Sequence, residues 1–258
     1  MEFLKDKYRL DGFYIVDDLF MLSERKVVTF CEGLIDRKLN IRFNCTGRVN
    51  TVTRKIAQLL KDAGCISIFY GLESGNQEIL KTMSKKTTLD QIYSTVRLTR
   101  EEGMYCEFGF MFGQPGENAQ TLQDTVDCIQ KISYGEFRAQ KIFGCVPFPG
   151  SGLYEWCKEN GRIKDDKDFY DRYISQDLFL DQIPINMTSL PDEELRALFL
   201  AANKNLSDFY IDRMATAWAR FFGGEAEAMD GSRVGKPMAH VHSRTETTGS
   251  TYDTSGRT

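Results

Sequence analysis

The feature that most constrains the fold of this 258-residue chain is a regular alternation of short apolar runs with longer segments of helical periodicity. Short apolar runs bounded by turn residues are typical of buried strands, and apolar positions three and four residues apart are typical of helices. The alternation occurs five times in the first part of the chain. The predicted strands cover residues 13–16, 41–45, 65–70, 105–112 and 137–146.

Five strand-then-helix units in succession predict parallel strands joined by right-handed crossovers. A doubly wound sheet and a complete or partial barrel both fit this order. Polar or glycine-rich turns follow every predicted strand, which places all candidate ligand-binding loops on one face, as in a (β/α) barrel. The sequence therefore favours an α/β fold, a partial TIM-barrel-like domain, over residues 1–160.

The strand–helix alternation stops after Gly161. Pro191 can open a helix that reaches about residue 222, so residues 161–222 are predicted to form a mainly helical extension. Residues 223–258 are rich in Gly, Ser, Thr and charge, which predicts a disordered tail. The two histidines, His240 and His242, lie in this tail. We expect them to be solvated, and we predict no metal ligands in the chain.

The composition of the chain indicates which classes of partner and which location to expect. The 33 Lys and Arg residues are balanced by 37 Asp and Glu residues, so no basic surface indicates nucleic-acid binding. No apolar run reaches the roughly 18 residues of a membrane span, and the N-terminus lacks the pattern of a signal peptide. The seven widely spaced cysteines predict reduced, buried thiols. Together these features predict a cytoplasmic protein.

The third predicted strand runs into a turn that carries an acid and a hydroxyl, in the order Ile-Phe-Tyr-Gly-Leu-Glu-Ser-Gly-Asn. A carboxylate at the end of a parallel strand, here Glu73, can accept charge-assisted hydrogen bonds from an ammonium group or from sugar hydroxyls. Ser74 follows it, and the basic residue Lys85 lies in the next helical region. The alternative is that Glu73 caps the following helix and Lys85 is a solvated surface charge.

Other predicted strand ends also carry polar residues. Asp17 and Asp18 follow the first strand, where they bind a ligand or cap the helix that begins near Ser23. Arg48 lies just past the second strand, and it faces either a ligand or the solvent.

The fourth and fifth predicted strands end in glycine and proline motifs. Gly109 and Gly113 let the main chain approach a ligand closely, although a strand glycine followed by a Pro-Gly turn is the simpler explanation. Glu117 is either part of this motif or a first-turn acid of the next helix. Two prolines, Pro147 and Pro149, rigidify the loop after the fifth strand.

Four motifs in this order resemble the radical S-adenosylmethionine (SAM) superfamily, in particular the branch whose members often carry an N-terminal cobalamin-binding domain. They are Asp-Asp-Leu-Phe at 17–20, Gly-Leu-Glu-Ser-Gly at 71–75, Gly-x-Met-x-Gly at 109–113 and Pro-Phe-Pro-Gly at 147–150. The resemblance covers about residues 1–160. It implies SAM binding at the mouth of a (β/α)6 partial barrel, radical chemistry such as methylation or rearrangement with a [4Fe-4S] cluster, and cobalamin as a further cofactor.

The resemblance also implies roles for individual residues. In related enzymes a residue at the position of Glu73 contacts the amino-acid part of SAM, and a basic residue at the position of Lys85 pairs with its carboxylate. The implied set of SAM-binding residues is Asp17, Asp18, Arg48, Glu73, Ser74, Lys85, Gly109, Met111, Gly113, Val146, Pro147 and Pro149. The catalytic residues and the substrate, a small molecule or a peptide, are not identified by the sequence.

The cysteines depart from the family pattern. Radical SAM enzymes hold their cluster through three cysteines in a C-x-x-x-C-x-x-C loop after the first barrel strand, because thiolates match the softness of iron. The closest cysteines here, Cys145 and Cys157, are twelve residues apart. Residues 1–10 resemble the helix before the second of six barrel strands. We therefore expect a fragment, a misassigned start or half of a split gene, in which a partner chain supplies the cluster loop and the isolated chain is inactive.

Two other functions fit the same residues. One is a cluster-free TIM-barrel enzyme that uses Asp17, Asp18, Glu73 and Lys85 for acid–base chemistry. The other is a non-catalytic remnant or partner subunit.

Overall fold

The computed structural model describes residues 1–17, 20–21, 23–133, 139–173 and 183–222. Its strands form one parallel sheet, in which each strand pairs with the next one along the chain. This order is that of a barrel wall and not of a doubly wound sheet, whose strand order reverses. The strands curl as a half-barrel, which confirms the predicted fold class. The strands are β1 Gly12–Tyr14, β2 Arg42–Gly47, β3 Cys65–Glu73, β4 Tyr105–Phe112 and β5 Ile142–Gly144.

Helices connect the strands and form the C-terminal extension. They are α1 Glu2–Tyr8, α2 Glu24–Asp36, α3 Arg54–Asp62, α4 Gln77–Thr82, α5 Leu89–Glu101, α6 Ala119–Ile132, α7 Gly152–Glu159, α8 Asp166–Tyr173 and α9 Asp192–Phe222. The first residue of α9 directly follows Pro191, as predicted. Ser23 stands at the N-cap of α2, but its side chain makes no capping hydrogen bond.

The fifth strand is shorter than the predicted 137–146, of which residues 137 and 138 lie outside the described residues. A side chain of α9 forms hydrogen bonds with the main chain of this strand, in the place of a further neighbouring strand. The main-chain N–H of Ile142 donates to Oδ1 of Asn203 at 2.9 Å, and Nδ2 of Asn203 donates to the carbonyl of Ile142 at 3.1 Å. The main-chain groups of Ile142 are therefore satisfied by an amide side chain.

The two faces of the sheet differ in their surroundings. On one face Tyr70 is fully buried, and its hydroxyl lies 2.8 Å from that of Thr99 in α5. Phe108, opposite Tyr70 on β4, is buried on the same face. The residues that alternate with them along each strand, such as Phe69 and Glu107, are only half-buried and point away from the helices. This second face is the concave face of the half-barrel.

The extension after β5 forms a second, smaller core. Its buried members are Cys145, Tyr154, Cys157, Ile163, Phe169, Ile185 and Met187. Phe169 lies at its centre, with its ring centroid 5.7 Å from that of Tyr154 and 6.3 Å from that of Phe148. Met111 of β4 packs against this core from the concave face. The extension therefore covers the part of the concave face that lies next to β5.

The chain divides into two compact units, Met1–Met214 and Ala215–Thr258. This division differs from the predicted boundaries at 160 and 222, because the buried face of α9 includes Leu195, Phe199 and Leu206, which belong to the main core. In the second unit, the described residues 215–222 are the last part of α9. The predicted disordered tail, 223–258, with His240 and His242, lies outside the described residues.

Length and apolar character together decide whether a helix can cross a membrane. Within the described ranges, no helix has both to the extent that a membrane span requires.

The connection from β4 to α6 is closed by a buried carboxylate. Oε2 of Glu117 accepts the main-chain N–H groups of Gly113 at 2.7 Å and of Gln114 at 2.8 Å. Burial raises the pKa of Glu117 to about 7, although the two N–H groups act in the opposite direction. Because α6 is capped by the side chain of Asn118, Glu117 lies before the helix. The alternative of a first-turn acid is therefore wrong.

Glu117 makes the stability of the fold depend on pH. Since its pKa is about 7 in the folded chain against 4.5 for an ordinary Glu, the folded state binds the proton more tightly, and stability is lost as pH rises between these values. We expect Glu117→Gln to flatten the decrease in unfolding free energy between pH 5 and 8, by an amount on the order of 1–3 kcal/mol.

Urea unfolding followed by circular dichroism at several pH values measures this slope. The exposed residue Glu159 provides the control, and Glu159→Gln is expected to keep the wild-type slope. An unchanged slope in Glu117→Gln would contradict the buried position of this carboxyl.

The turn after β3 packs directly against α6. An added Cβ at Gly75 would lie 2.5 Å from the carbonyl oxygen of Asp124 and 2.6 Å from Cα of Thr125, both main-chain atoms. We expect Gly75→Ala to destabilise the chain by about 3 kcal/mol or more, because backbone must move to accommodate the methyl group.

Gly33 in α2 is a matched control, since an added Cβ there meets nothing within 4 Å. Gly33→Ala is expected to stabilise the chain by roughly 0.5–1 kcal/mol through helix propensity. Urea unfolding of both variants checks the pair. Similar unfolding midpoints for the two would show that the turn after β3 does not press against α6.

Candidate functional site

The end of β3 carries a bulge that positions Glu73. The pairing of β3 with β4 shifts register between Gly71 and Glu73, and Glu73 adopts a left-handed backbone conformation with φ of 68°. The Glu73 side chain then folds back over Gly71, where an added Cβ would lie 2.6 Å from Oε1 of Glu73. A glycine at position 71 is therefore required for this placement of the carboxylate.

Glu73 forms a sheltered ion pair with Lys85. Nζ of Lys85 donates to Oε1 of Glu73 at 2.5 Å, and the side chains are only 15% exposed for Glu73 and 21% for Lys85. By comparison, the Glu78–Lys81 pair on α4 is 76% and 64% exposed. Water screens the sheltered pair less, so its charges act more strongly on each other and on a neighbouring ligand.

The alternative roles of these two residues do not hold. The N-cap of α4 is Asn76, whose side chain accepts the N–H groups of Glu78 and Ile79, so Glu73 caps no helix. Lys85 is largely sheltered and paired, and is not a solvated surface charge.

Ser74 faces α6 and not the ion pair. Its side chain is fully buried, its hydroxyl lies 3.3 Å from that of Thr125, and it accepts the main-chain N–H of Asn76 at 3.1 Å. Ser74 was predicted to contact SAM. The structure instead places it where it holds the turn that carries Glu73.

Gly109 of β4 lies opposite Gly71 of β3 on the concave face. An added Cβ at Gly109 would lie 3.0 Å from Cζ of Phe69 and 3.9 Å from Cα of Gly71. The two glycines leave a strip of main chain without side chains next to the ion pair, and we name it the glycine strip. Met111 lies two residues further along β4, half-buried against the second core.

The segment after β5 reaches the same region. The N–H of Cys145 donates to the carbonyl of Phe112 at 2.8 Å. Burial raises the pKa of the Cys145 thiol to about 12, and the nearby Glu117 and Glu73 carboxylates add to the rise. Glu73, Glu117 and Cys145 follow or end three neighbouring strands, β3, β4 and β5.

The predicted loop residues that follow Cys145 are mostly sheltered from solvent. Val146 packs against the second core, and Pro147 is buried. Pro149 is half-buried, and the main-chain N–H of Phe148 donates to the carbonyl of Val146 at 3.1 Å. Gly113 contributes its N–H to Glu117, as described above.

The predicted residues after β1 and β2 lie at the ends of the first two strands. Asp17 is exposed, and its main-chain carbonyl accepts the hydroxyl of Thr46 from β2 at 2.5 Å. Arg48 follows β2 and is exposed. Asp18 lies outside the described residues.

Three polar residues of the concave face were missed by the sequence analysis. They are Asn44 on β2, Ser67 on β3 and Glu107 on β4. The only available signal was a polar residue at alternate positions inside otherwise apolar strands, and that pattern does not tell which face of a sheet binds a ligand.

The cysteines present do not fit a [4Fe-4S] cluster. No group of three His, Cys, Asp or Glu residues in the described part of the chain could hold a metal ion. All seven cysteines are buried, and burial raises the pKa of Cys31 to about 12 and that of Cys128 to about 11. Such thiols stay protonated, whereas cluster ligands are thiolates.

The sequence of this chain is similar to those of several known proteins. An uncharacterized methyltransferase of Pyrococcus horikoshii is 26% identical over 165 residues, which cover 63% of this chain and 35% of that protein. Bacteriochlorophyllide d C-12(1)-methyltransferase of Chlorobaculum tepidum is 29% identical over 163 residues, covering 62% of this chain and 34% of the relative. The chain thus spans about a third of the length of these relatives.

The fold is also found among solved structures. TsrM from Kitasatospora setae, a radical SAM methyltransferase solved with cobalamin and a [4Fe-4S] cluster, superposes with a TM-score of 0.54 at 22% identity. The match covers 62% of this chain and 32% of TsrM. The family model of the Radical SAM superfamily matches residues 7–129, which include β1 to β4, the ion pair and the glycine strip. The chain therefore carries a domain of the radical SAM superfamily.

Proposed function

We propose that this chain binds SAM at the carboxyl ends of β3 to β5 and is the SAM-binding part of a radical enzyme that methylates a small molecule. The observation that carries the proposal is the sheltered Glu73–Lys85 ion pair beside the glycine strip. The methyltransferases among the relatives support the reaction class.

The chemistry of SAM matches this site group by group. Glu73 can accept hydrogen bonds from the ammonium of its amino-acid part, and Lys85 can donate to its carboxylate. Glu73 and Lys85 each exchange their mutual contact for a ligand group of opposite charge, so neither is left buried and unpaired. The glycine strip lets the main chain approach the adenosyl part, since no Cβ projects there.

The other cofactors belong to the complete protein in this proposal. A [4Fe-4S] cluster supplies electrons for radical formation in this superfamily, and its ligands would come from residues outside this chain. Cobalamin is a candidate second cofactor, since it is bound in the TsrM structure. A partner chain that brings the cluster loop remains part of the proposal.

Glu73→Gln tests the proposed contact with the SAM ammonium. We expect the dissociation constant for SAM, measured by isothermal titration calorimetry on the 258-residue chain, to rise about ten- to a hundredfold, as for loss of one charge-assisted hydrogen bond. Lys85→Met is expected to have a similar effect through the SAM carboxylate.

The exposed pair on α4 supplies the control, because Glu78→Gln removes the same charge from a solvent-exposed position. This variant is expected to bind SAM within about twofold of the wild type, a change well below 1 kcal/mol. Equal SAM affinity in Glu73→Gln and Glu78→Gln would remove Glu73 from the proposed site. An acid–base reaction in the absence of iron, lost in Glu73→Gln, would support the cluster-free alternative.

Gly109→Ala tests the glycine strip. The added methyl group stands above the strip, 3.0 Å from Phe69, and is expected to weaken SAM binding by about tenfold or more. Gly152→Ala is the control, since an added Cβ there meets nothing within 4 Å. Calorimetric titration with SAM distinguishes the two variants, and unchanged binding by Gly109→Ala would show that the adenosyl part lies elsewhere.

A further inference from the structure

A cavity of about 230 Å³ lies between the segment that precedes α9 and the first turns of that helix. Sites for drug-sized ligands have roughly 300–1,000 Å³, so this cavity fits a smaller molecule, of the size of a single amino acid. None of its described lining residues belongs to the Glu73–Lys85 ion pair or to the glycine strip. The cavity is therefore distinct from the proposed SAM site.

The inner wall of the cavity is apolar. Leu195 and Phe199 of α9 line it, and they are only 3% and 1% exposed because they belong to the main core. Ile183, which packs against that core, and Pro184 complete this wall from the preceding segment. An apolar group that enters the cavity leaves water for this wall, which favours binding.

The open side of the cavity carries two opposite charges. Asp192 and Arg196 both line it, both are exposed, and they lie four residues apart on α9. Opposite charges at this spacing on a helix commonly form an ion pair. These two do not, and within the described ranges the guanidinium of Arg196 has no hydrogen-bond or ion-pair partner. Its five N–H groups are therefore available to a ligand.

Asn186 fixes the carboxylate of Asp192. Nδ2 of Asn186 donates to Oδ1 of Asp192 and to the carbonyl of Leu190, both at 2.7 Å. Oδ1 of Asn186 accepts the main-chain N–H of Thr188 at 2.9 Å, so the amide itself is held in place. The described part of the chain provides no hydrogen bond to Oδ2 of Asp192. One carboxylate oxygen is thus anchored, and the other can accept from a ligand.

We propose that this cavity binds a free α-amino acid with an apolar side chain. Asp192 accepts from its ammonium, Arg196 donates to its carboxylate, and its side chain packs against Leu195 and Phe199. A zwitterion satisfies both charges with one small molecule, whereas an anion alone would face Asp192 and an amine alone would face Arg196. The inference goes beyond the proposed function and does not require it.

Four probes test the selection on the 258-residue chain: L-leucine, N-acetyl-L-leucine, L-leucinamide and L-serine. We expect ligand-observed NMR titrations to give the tightest binding for L-leucine. The two blocked forms each lack one charge and are expected to bind about tenfold more weakly, and L-serine at least tenfold more weakly because it lacks the apolar side chain. Equal binding of all four probes, or no binding of L-leucine, would overturn the proposal.

Two variants assign the charges to their partners. Arg196→Gln should weaken L-leucine binding about tenfold and leave L-leucinamide, which has no carboxylate, bound at least as well as before. Asp192→Asn keeps an oxygen for Asn186, and it should weaken L-leucine binding similarly without weakening that of N-acetyl-L-leucine. An equal loss of L-leucine and L-leucinamide in Arg196→Gln would overturn the contact between Arg196 and the ligand carboxylate.

The exposed residue Glu193 supplies the control in the same turn of α9. Glu193→Gln removes one negative charge, as Asp192→Asn does, but Glu193 does not line the cavity. This variant is expected to bind L-leucine within about twofold of the wild type. A loss of L-leucine binding as large as that in Asp192→Asn would show that only the net charge of the helix matters and would overturn the role of Asp192.

SAM titrations of the same samples separate this inference from the proposed function, since SAM also contains an α-amino acid. Arg196→Gln is expected to bind SAM within about twofold of the wild type, and Glu73→Gln to bind L-leucine within about twofold. A wild-type chain that selects L-leucine but binds no SAM would contradict the proposed function alone. Loss of SAM binding in Arg196→Gln would place the amino-acid part of SAM in this cavity and overturn the present inference.

Discussion

The position of every residue at the site depends on which face of β3 and β4 is buried. Tyr70 and Phe108 fill the space between sheet and helices, and the Tyr70 hydroxyl meets Thr99 there. A slip of one residue would move Gly71 into the core and Tyr70 to the concave face, with the loss of this packing and of the hydrogen bond. The core thus determines that Gly71 and Gly109 lie on the concave face, next to the Glu73–Lys85 ion pair.

The bulge at the end of β3 departs from this alternation, and the departure creates the site. A non-glycine residue with left-handed backbone angles costs about 1 kcal/mol or more, and Glu73 is such a residue. The Lys85 ion pair and the buried contacts of Ser74 and Gly75 with α6 hold it in place. Local strain and a sheltered side-chain ion pair therefore coincide in one turn.

Local periodicity was enough to predict five strands that alternate with helices, because both follow from where apolar residues recur. The preference for a barrel over a doubly wound sheet came from the polar and glycine-rich turns that follow the strands. The family resemblance identified Glu73 and Lys85 as ligand-binding residues, but it did not predict the ion pair between them. The bulge could not be predicted, since it depends on the register between β3 and β4. The buried position of the Glu117 carboxylate, which accepts the N–H of Gly113, could not be predicted either. The same holds for the proximity of Asn44, Ser67 and Glu107, because these residues come from three separate strands.

The two edges of the half-barrel differ in how open they are to a further strand, because the amide of Asn203 lies on the outer side of β5. It occupies both main-chain groups of Ile142, so an incoming strand cannot form those two hydrogen bonds. At the opposite end, β1 pairs only with β2 among the described strands. Among the described strands, the edge at β1 is therefore more open to strand addition than the edge at Ile142, whether the added strand comes from another segment of the same polypeptide or from a second molecule.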